Sequence, residues 1–173
     1  MRPRVLATLL VLSIGAAGAF AATGEAQPST PGDGCLVVSK GFGKITVTLS
    51  RGIVFGRFQS GTLTYTDQDA TDAVTNLPKV PGVSFTKVND HVWTYGPAEL
   101  VRFRSSGPTK LTVNAQSIDL SVAGKGKAVL SVNGFSQDIA GKFSVDADSF
   151  CEDNFQRMPL SPTKVQISSQ ATE

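Results

Sequence analysis

A single histidine, His91, limits the catalytic chemistry that this chain offers. A Ser-His-Asp triad would require it, but no G-x-S-x-G motif supplies a matching nucleophile. His91, Trp93 and Tyr95 occupy alternate positions and so share one face of a strand. They either present a surface to a sugar or another flat ligand, or Trp93 and Tyr95 fill the core. A lone tryptophan in a small β-domain usually anchors the core, which favours the second interpretation. We therefore predict no catalytic residue.

Paired carboxylates are the other route to catalysis, because a glycosidase needs two of them at a set separation. Glu99 and Glu152 are the glutamates of the mature chain that lie outside its tails. Nothing in their spacing predicts that they meet. A secreted carboxylate-dependent hydrolase is therefore kept as an alternative function.

Two loops cluster acidic residues, whose oxygens are the ligands that calcium prefers. They read DQDATD at 67–72 and DADSFCED at 146–153. Neither fits the EF-hand pattern, which has glycine at its sixth position and glutamate at its twelfth. Two cysteines and one histidine also make a poor zinc site. The sequence predicts no metal and no cofactor, and leaves calcium in these loops as an open question.

The stretch VAGKGKAVLSV, residues 122–132, looks at first like a phosphate-binding loop. A Walker loop, G-x-x-x-x-G-K-[ST], opens onto a helix whose first turn holds the phosphate. Here the glycine spacing is wrong, no Ser or Thr follows Lys127, and AVLSV is typical of a strand. Gly124 and Gly126 instead predict a tight turn or a bulge with positive φ, in which Lys125 and Lys127 stay exposed.

Basic residues alternate with phenylalanines in the second half of the chain, as in a broad class of oligonucleotide-binding folds. The chain has 16 Lys and Arg against 14 Asp and Glu, but loss of Arg2 and Arg4 with a signal peptide leaves 14 against 14. A neutral exported chain argues against a nucleic-acid partner. The stripe then predicts a solvated face, or a weak contact with an anionic cell-wall polymer or lipid headgroups. Its residues are Arg102, Phe103, Arg104, Lys110, Lys125, Lys127, Lys142 and Phe143.

Residues 1–21 are typical of a secretory signal peptide. Arg2 and Arg4 precede an apolar run over 5–17, and residues 19–21 read AFA, a small-x-small cleavage site. The run is too short for a lasting membrane span, and no later run reaches spanning length. We expect a secreted or otherwise extracytoplasmic protein of the cell envelope, with no transmembrane segment after cleavage.

Cys35 and Cys151 are the two cysteines of the chain. In an exported protein an even pair predicts a disulfide, which here would tie the two ends of the domain together. A leader over 22–34, rich in Pro, Gly, Ser and Thr, is predicted to be disordered. One β-domain over 35–169 and a tail over 170–173 complete the chain.

The folded region alternates apolar and polar residues with the period of a strand, and helical periodicity is nearly absent. Turn residues, notably Asn133 and Gly134, separate the runs. Short strands at such spacing predict an all-β fold, a single antiparallel β-sandwich or barrel with little helix. Two irregular loops, 68–82 and 146–162, interrupt the pattern. The predicted strands cover 43–50, 61–67, 83–88, 91–95, 100–104, 110–114, 127–132, 141–145 and 164–168.

The tetrapeptides KITV at 44–47 and KLTV at 110–113 form a faint internal echo. Each is followed by a short apolar strand and then by a glycine-led strand, GTLTY or GKAVL. The echo indicates either an old duplication or the ordinary likeness of β-strands, and the sequence leaves both open.

Together these features predict a small exported β-domain that acts as a non-enzymatic binding or structural module at the cell envelope. Its partner would be a cell-wall polymer or another envelope protein. The two irregular loops are the first candidate contact surface. The third interpretation is a lipid- or small-molecule-binding β-barrel whose aromatic side chains line a cavity. The candidate ligand surface consists of His91, Trp93, Tyr95, Arg102, Arg104, Lys125 and Lys127.

Overall fold

A computed structural model describes residues 33–69, 80–132, 140–147, 151 and 154–169. Several features predicted from the sequence lie outside these residues. They are the signal peptide 1–21, most of the leader, residues 70–79 of the first irregular loop, Asn133 and Gly134, residues 148–150 and 152–153 of the second loop with Glu152, and the tail.

The described chain is all strand, and every pairing between strands is antiparallel. The all-β prediction is thereby confirmed, and each predicted strand overlaps an observed one. Residues 34–39, 51–58 and 117–124 are further extended segments that the sequence pattern missed. The strands are β1 (Gly34–Asp67), β2 (Phe85–Asn89), β3 (Val92–Tyr95), β4 (Ala98–Ser105), β5 (Thr109–Ser131), β6 (Lys142–Asp146), β7 (Gln156–Arg157) and β8 (Thr163–Gln166).

The two long strands, β1 and β5, bend repeatedly and divide the sheet into two layers. In the narrow layer, Ser121 pairs with Val37 on one side and with Phe55 on the other. In the wide layer, Thr46 pairs with Thr112 on one side and with Val129 on the other. The narrow layer runs in the order β7, β6, 34–38, 118–124, 52–58 and β4, and the wide layer in the order β2, β3, 61–67, 109–115, 44–49, 126–131 and β8.

The inner faces of the two layers pack against each other. The Tyr65 ring of the wide layer lies edge-on to the Phe103 ring of the narrow layer, with 5.2 Å between centroids. Leu36, Ile118 and Leu130 are fully buried between the layers. The described strands thus form an open sandwich that does not close into a barrel, held together by burial of apolar side chains.

Glycines form the bend between residues 122 and 132 of β5. Gly124 has a φ of 151° and pairs with Gly52, whose φ is 155°. A Cβ on Gly124 would lie 2.3 Å from the carbonyl oxygen of Arg51, so no other residue fits without movement of the backbone. The predicted positive φ is present at Gly124 but not at Gly126, and the two glycines belong to a bend that carries one strand from the narrow to the wide layer.

The echo between KITV and KLTV corresponds to a structural repeat. Residues 34–67 pass through the narrow, wide, narrow and wide layers in turn, and residues 98–131 do the same. The echo segments are neighbouring antiparallel strands in which Ile45 pairs with Val113, and Val47 with Leu111. This pairing is symmetric about the central pair of Thr46 and Thr112. Residues 34–67 and 98–131 are therefore related by an approximate twofold axis. The arrangement favours duplication over chance likeness.

The predicted disulfide joins Cys35 to Cys151. It attaches the chain after β6 to the segment 34–38 of β1, where Cys35 is buried. A second link near the same end is the ion pair between Arg51 and the buried Asp33, at 2.7 Å. Asp33 and Gly34, the last residues of the predicted leader, therefore belong to the described fold.

Candidate functional site

The aromatic residues of the candidate ligand surface face the core. Trp93 is 5% exposed, and Tyr95 is buried beside it on the inner face of β3. His91 is half-buried before β3, and its backbone N–H donates to Asn89 Oδ1 at 2.9 Å. Burial raises the pKa of Tyr95 above its ordinary value, because ionisation would place a charge away from water. Trp93 and Tyr95 therefore fill the core, as the second interpretation of the sequence has it.

The basic residues of the predicted stripe do not form one patch. Arg102 and Arg104 are exposed on the outer face of the narrow layer, and the Arg102 guanidinium lies 5.4 Å from the centroid of the Phe55 ring. Lys127 is exposed on the outer face of the wide layer, as is Lys110. Lys125 is half-buried and not exposed as the sequence predicts, because it lies in the bend where β5 pairs with Arg51 of β1. Lys142 is exposed in β6.

Threonines form an in-register row across the outer face of the wide layer. Residues directly opposite one another on paired strands share a face. Thr46 pairs with Thr112, which pairs with Thr64 on its other side. Thr94 pairs with Thr64 and with Thr86, so the row spans five adjacent strands. The row is Thr86, Thr94, Thr64, Thr112 and Thr46, with Thr48, Thr62 and Thr66 two residues along their strands from it.

Four exposed lysines lie on the same face. Thr48 pairs with Lys110 on one side and with Lys127 on the other. Lys44 lies two residues before Thr46 on the same strand. Lys164 pairs with Val129, which in turn pairs with Thr46. The described residues offer none of these lysines an ion pair, and no acidic residue occupies an outward position on the described strands of this layer. We call this set of threonines with Lys44, Lys110, Lys127 and Lys164 the threonine–lysine face.

The regular pleat sets the spacing of the groups on this face. Residues two apart along a strand lie about 6.7 Å from each other, and neighbouring strands lie about 4.8 Å apart. The Oγ1 atoms of Thr46 and Thr112 are 3.3 Å apart. The face thus presents an array of hydroxyl donors and ammonium groups, and the described strands of this layer place no carboxylate among them.

A groove of about 300 Å³ lies on the outer face of the narrow layer. Its apolar lining comes from Val37, Phe55, Leu100 and Phe155. Its charged lining comes from Arg57, Glu99 and Asp119. We call this depression the β4 groove.

Asp119 fixes the polar end of the β4 groove. Its Oδ1 accepts the backbone N–H of Lys40 at 2.8 Å, and its Oδ2 accepts Arg57 Nε at 2.8 Å. The first bond holds the bend at Lys40, whose φ is 52°. The second bond fixes the guanidinium plane while the Arg57 side chain remains 58% exposed.

A small pocket beside Phe58 in the sandwich measures about 10 Å³, which is room for about one water molecule. The one buried carboxylate of the described chain, Asp33, is paired with Arg51. Glu99 is exposed in the β4 groove, and Glu152 lies outside the described residues. Two outer surfaces, the threonine–lysine face and the β4 groove, are therefore the candidate sites.

Within the described ranges, no helix has the length and apolar character needed to cross a bilayer. The same residues contain no cluster of three or more side chains suited to hold a metal ion. The disulfide is consistent with an extracytoplasmic location. No protein-family model matches the chain, and no curated protein or solved structure shows a significant similarity to it.

The threonine row was not recognised from the sequence, although its signal is present there. Alternate threonines in GKITVTLS, GTLTYTD and KLTVN predict strands with a polar outer face. Their register depends on which strands become neighbours, and that order is set by the bends of β1 and β5.

Proposed function

We propose that this protein is a non-enzymatic binding module that acts at the cell envelope and attaches to an anionic polymer through the threonine–lysine face. One observation carries the proposal: an in-register threonine row with four exposed lysines and no outward acid on the described strands of that layer. The signal-like N-terminus and the disulfide support a secreted or envelope location.

The charge distribution supports an anionic partner. The mature chain predicted from the sequence carries equal numbers of basic and acidic residues, so four lysines on one face, with no ion pair to any described residue, are a local excess. Such an excess attracts a polyanion over about one Debye length and is weakened by salt. Once in contact, threonine hydroxyls can donate to phosphate or carboxylate oxygens at the spacing of the pleat. A rigid sheet presents these groups with little loss of conformational entropy.

The direct test is binding of the mature chain to a linear poly(glycerol phosphate), with uncharged dextran as the comparison ligand. The face variant carries Lys44→Gln, Lys110→Gln, Lys127→Gln and Lys164→Gln. The control variant removes four exposed cations from other positions: Lys40→Gln, Lys87→Gln, Arg104→Gln and Lys142→Gln.

Isothermal titration should show that the face variant binds the phosphate polymer at least about tenfold more weakly. The control variant, which has the same net charge, should bind within about threefold of the parent chain. Binding of the parent should fall as salt is raised, and dextran should not bind. An equal loss in both variants would show that net charge alone governs binding and would contradict the proposal, as would the absence of binding by the parent.

A further inference from the structure

The β4 groove is a second candidate site, on the layer opposite the threonine–lysine face. A β-bulge in β4 produces it. Gly56 pairs with Val101 and Phe58 pairs with Ala98, so two residues of β4, Glu99 and Leu100, lie opposite one residue of β1. Both of these side chains are exposed and line the groove. Bulges are common beside functional sites, because the extra residue redirects a side chain.

The apolar walls of the groove are exposed to an unusual degree. Leu100 is 49% exposed and Phe155 is 40% exposed, and they are among the few large apolar side chains that the described fold leaves in solvent. Phe155 follows Cys151, whose disulfide to Cys35 anchors this part of the chain to the narrow layer. Apolar side chains gathered in a concave site of this volume are typical of a small-ligand site.

The charges around the groove balance. Arg57 and Arg102 contribute two cations, and Glu99 and Asp119 contribute two anions. Both oxygens of Asp119 already accept hydrogen bonds, so Asp119 acts by orienting Arg57. The terminal nitrogens of Arg57 are donors, and the carboxylate of Glu99 is an acceptor. The groove therefore offers a donor, Arg57, and an acceptor, Glu99. A neutral ligand whose groups both donate and accept hydrogen bonds fits these two side chains better than an ion does.

We infer that the β4 groove binds a neutral saccharide of one or two rings. The apolar face of a sugar ring packs against Phe55, Leu100 and Phe155, and its hydroxyls bond to Arg57 and Glu99. Each hydroxyl both donates and accepts, so it can satisfy a guanidinium and a carboxylate in one site without leaving a charge unpaired. The site takes a different ligand from the threonine–lysine face and does not depend on it.

The test is a titration of the mature chain with cellobiose, maltose and N,N′-diacetylchitobiose, followed by NMR chemical shifts. At least one disaccharide should bind, with shifts centred on Phe55, Leu100 and Phe155. Leu100→Ala and Glu99→Gln should each weaken binding by about fivefold or more. Leu160→Ala is the matched control, because Leu160 is 50% exposed and does not line the groove; it should leave binding unchanged.

Two further measurements separate this inference from the polymer proposal. Saccharide binding should be insensitive to salt and should persist in the face variant, since the ligand is neutral. Melting temperatures of Leu100→Ala and Glu99→Gln should match that of the parent, because both side chains are exposed. Failure of all three disaccharides to bind would overturn the inference. It would also be overturned if Leu160→Ala weakened binding as much as Leu100→Ala, or if octanoate bound in the groove while the sugars did not.

Discussion

The hydroxyl oxygens of Thr46 and Thr112 lie 3.3 Å apart, on either side of the approximate twofold axis that relates the two halves of the sandwich. The axis also relates Lys44 to Lys110, because each lysine precedes its threonine by two residues on an equivalent strand. The centre of the threonine–lysine face is therefore a symmetric arrangement of two hydroxyls between two ammonium groups. A repeating linear polymer could meet such a face in either direction along its length.

Replacing both central threonines, Thr46→Val with Thr112→Val, should separate the stability of the sheet from its capacity to bind. Valine has the shape and the strand propensity of threonine but no hydroxyl. The free energy of unfolding should change by less than about 1 kcal/mol, because a cross-strand threonine pair contributes no more than that. Affinity for poly(glycerol phosphate) should fall. Urea denaturation checks the stability and titration with the polymer checks the affinity. A loss of several kcal/mol in the free energy of unfolding would show that the threonine pair is chiefly structural.

The bend at Gly124 should tolerate no side chain. In Gly124→Ala the new Cβ would meet the carbonyl oxygen of Arg51 and the Cα of Gly52, at a φ of 151°. We expect a loss of about 3 kcal/mol or more in the free energy of unfolding, from strain and steric overlap. Gly107→Ala is the control, since nothing lies within 4 Å of its added Cβ, and it should change stability by less than about 0.5 kcal/mol. Equal effects of the two variants in urea denaturation would refute this account of the bend.

The fold class could be predicted because alternation of apolar and polar residues is a local property. Residues 43–50 and 61–67 show it clearly, and the structure places both in β1. The segment GIVFGRF at 52–58 does not alternate, because Phe55 lines the outer groove while Val54 packs inside. The bend at Gly124 is predicted from the sequence as a tight turn or a bulge for a related reason. A glycine with positive φ has the same local signature in a hairpin and in a strand that crosses between layers.

The candidate sites depend on neighbours that lie far apart in the sequence. Arg102 and Lys127 belong to one basic stripe in the sequence. In the fold, Arg102 lies on the outer face of the narrow layer and Lys127 on the outer face of the wide layer. Glu99 enters the groove through a bulge, and a bulge is defined only by the register of the partner strand. Sequence periodicity gives the direction of a side chain relative to its own strand, but the order of strands decides which side chains meet.

Loss of the disulfide should destabilise the fold strongly. Cys35 and Cys151 are 116 residues apart, and the loop-entropy model gives about 4–5 kcal/mol for a crosslink of that span. The variant Cys35→Ala with Cys151→Ala should therefore lose several kcal/mol in urea denaturation. The reduced parent chain should match it, and mass spectrometry should show the gain of two hydrogens on reduction. If reduction changed neither mass nor stability, the crosslink would be absent from the mature protein.

Alkaline pH should destabilise the protein through Tyr65. Burial, with smaller contributions from the charges of Asp67 and Tyr95, raises the pKa of Tyr65 from 10.0 to about 12. Between these values the unfolded chain loses this proton and the folded chain keeps it, so unfolding releases a proton. The stability contributed by neutral Tyr65 is complete below pH 10 and is lost as the pH rises to about 12.

Each unit of the difference in pKa corresponds to about 1.4 kcal/mol, so the effect should be measurable. The free energy of unfolding of Tyr65→Phe should fall less steeply than that of the parent over this range, because phenylalanine does not titrate. Tyr65 and Tyr95 are the two tyrosines of the chain, and burial raises the pKa of both. Their ultraviolet absorbance should therefore show ionisation at higher pH in the folded than in the urea-unfolded protein. Coincident titrations of the two states, with parallel stability curves for parent and variant, would contradict the assigned environment of Tyr65.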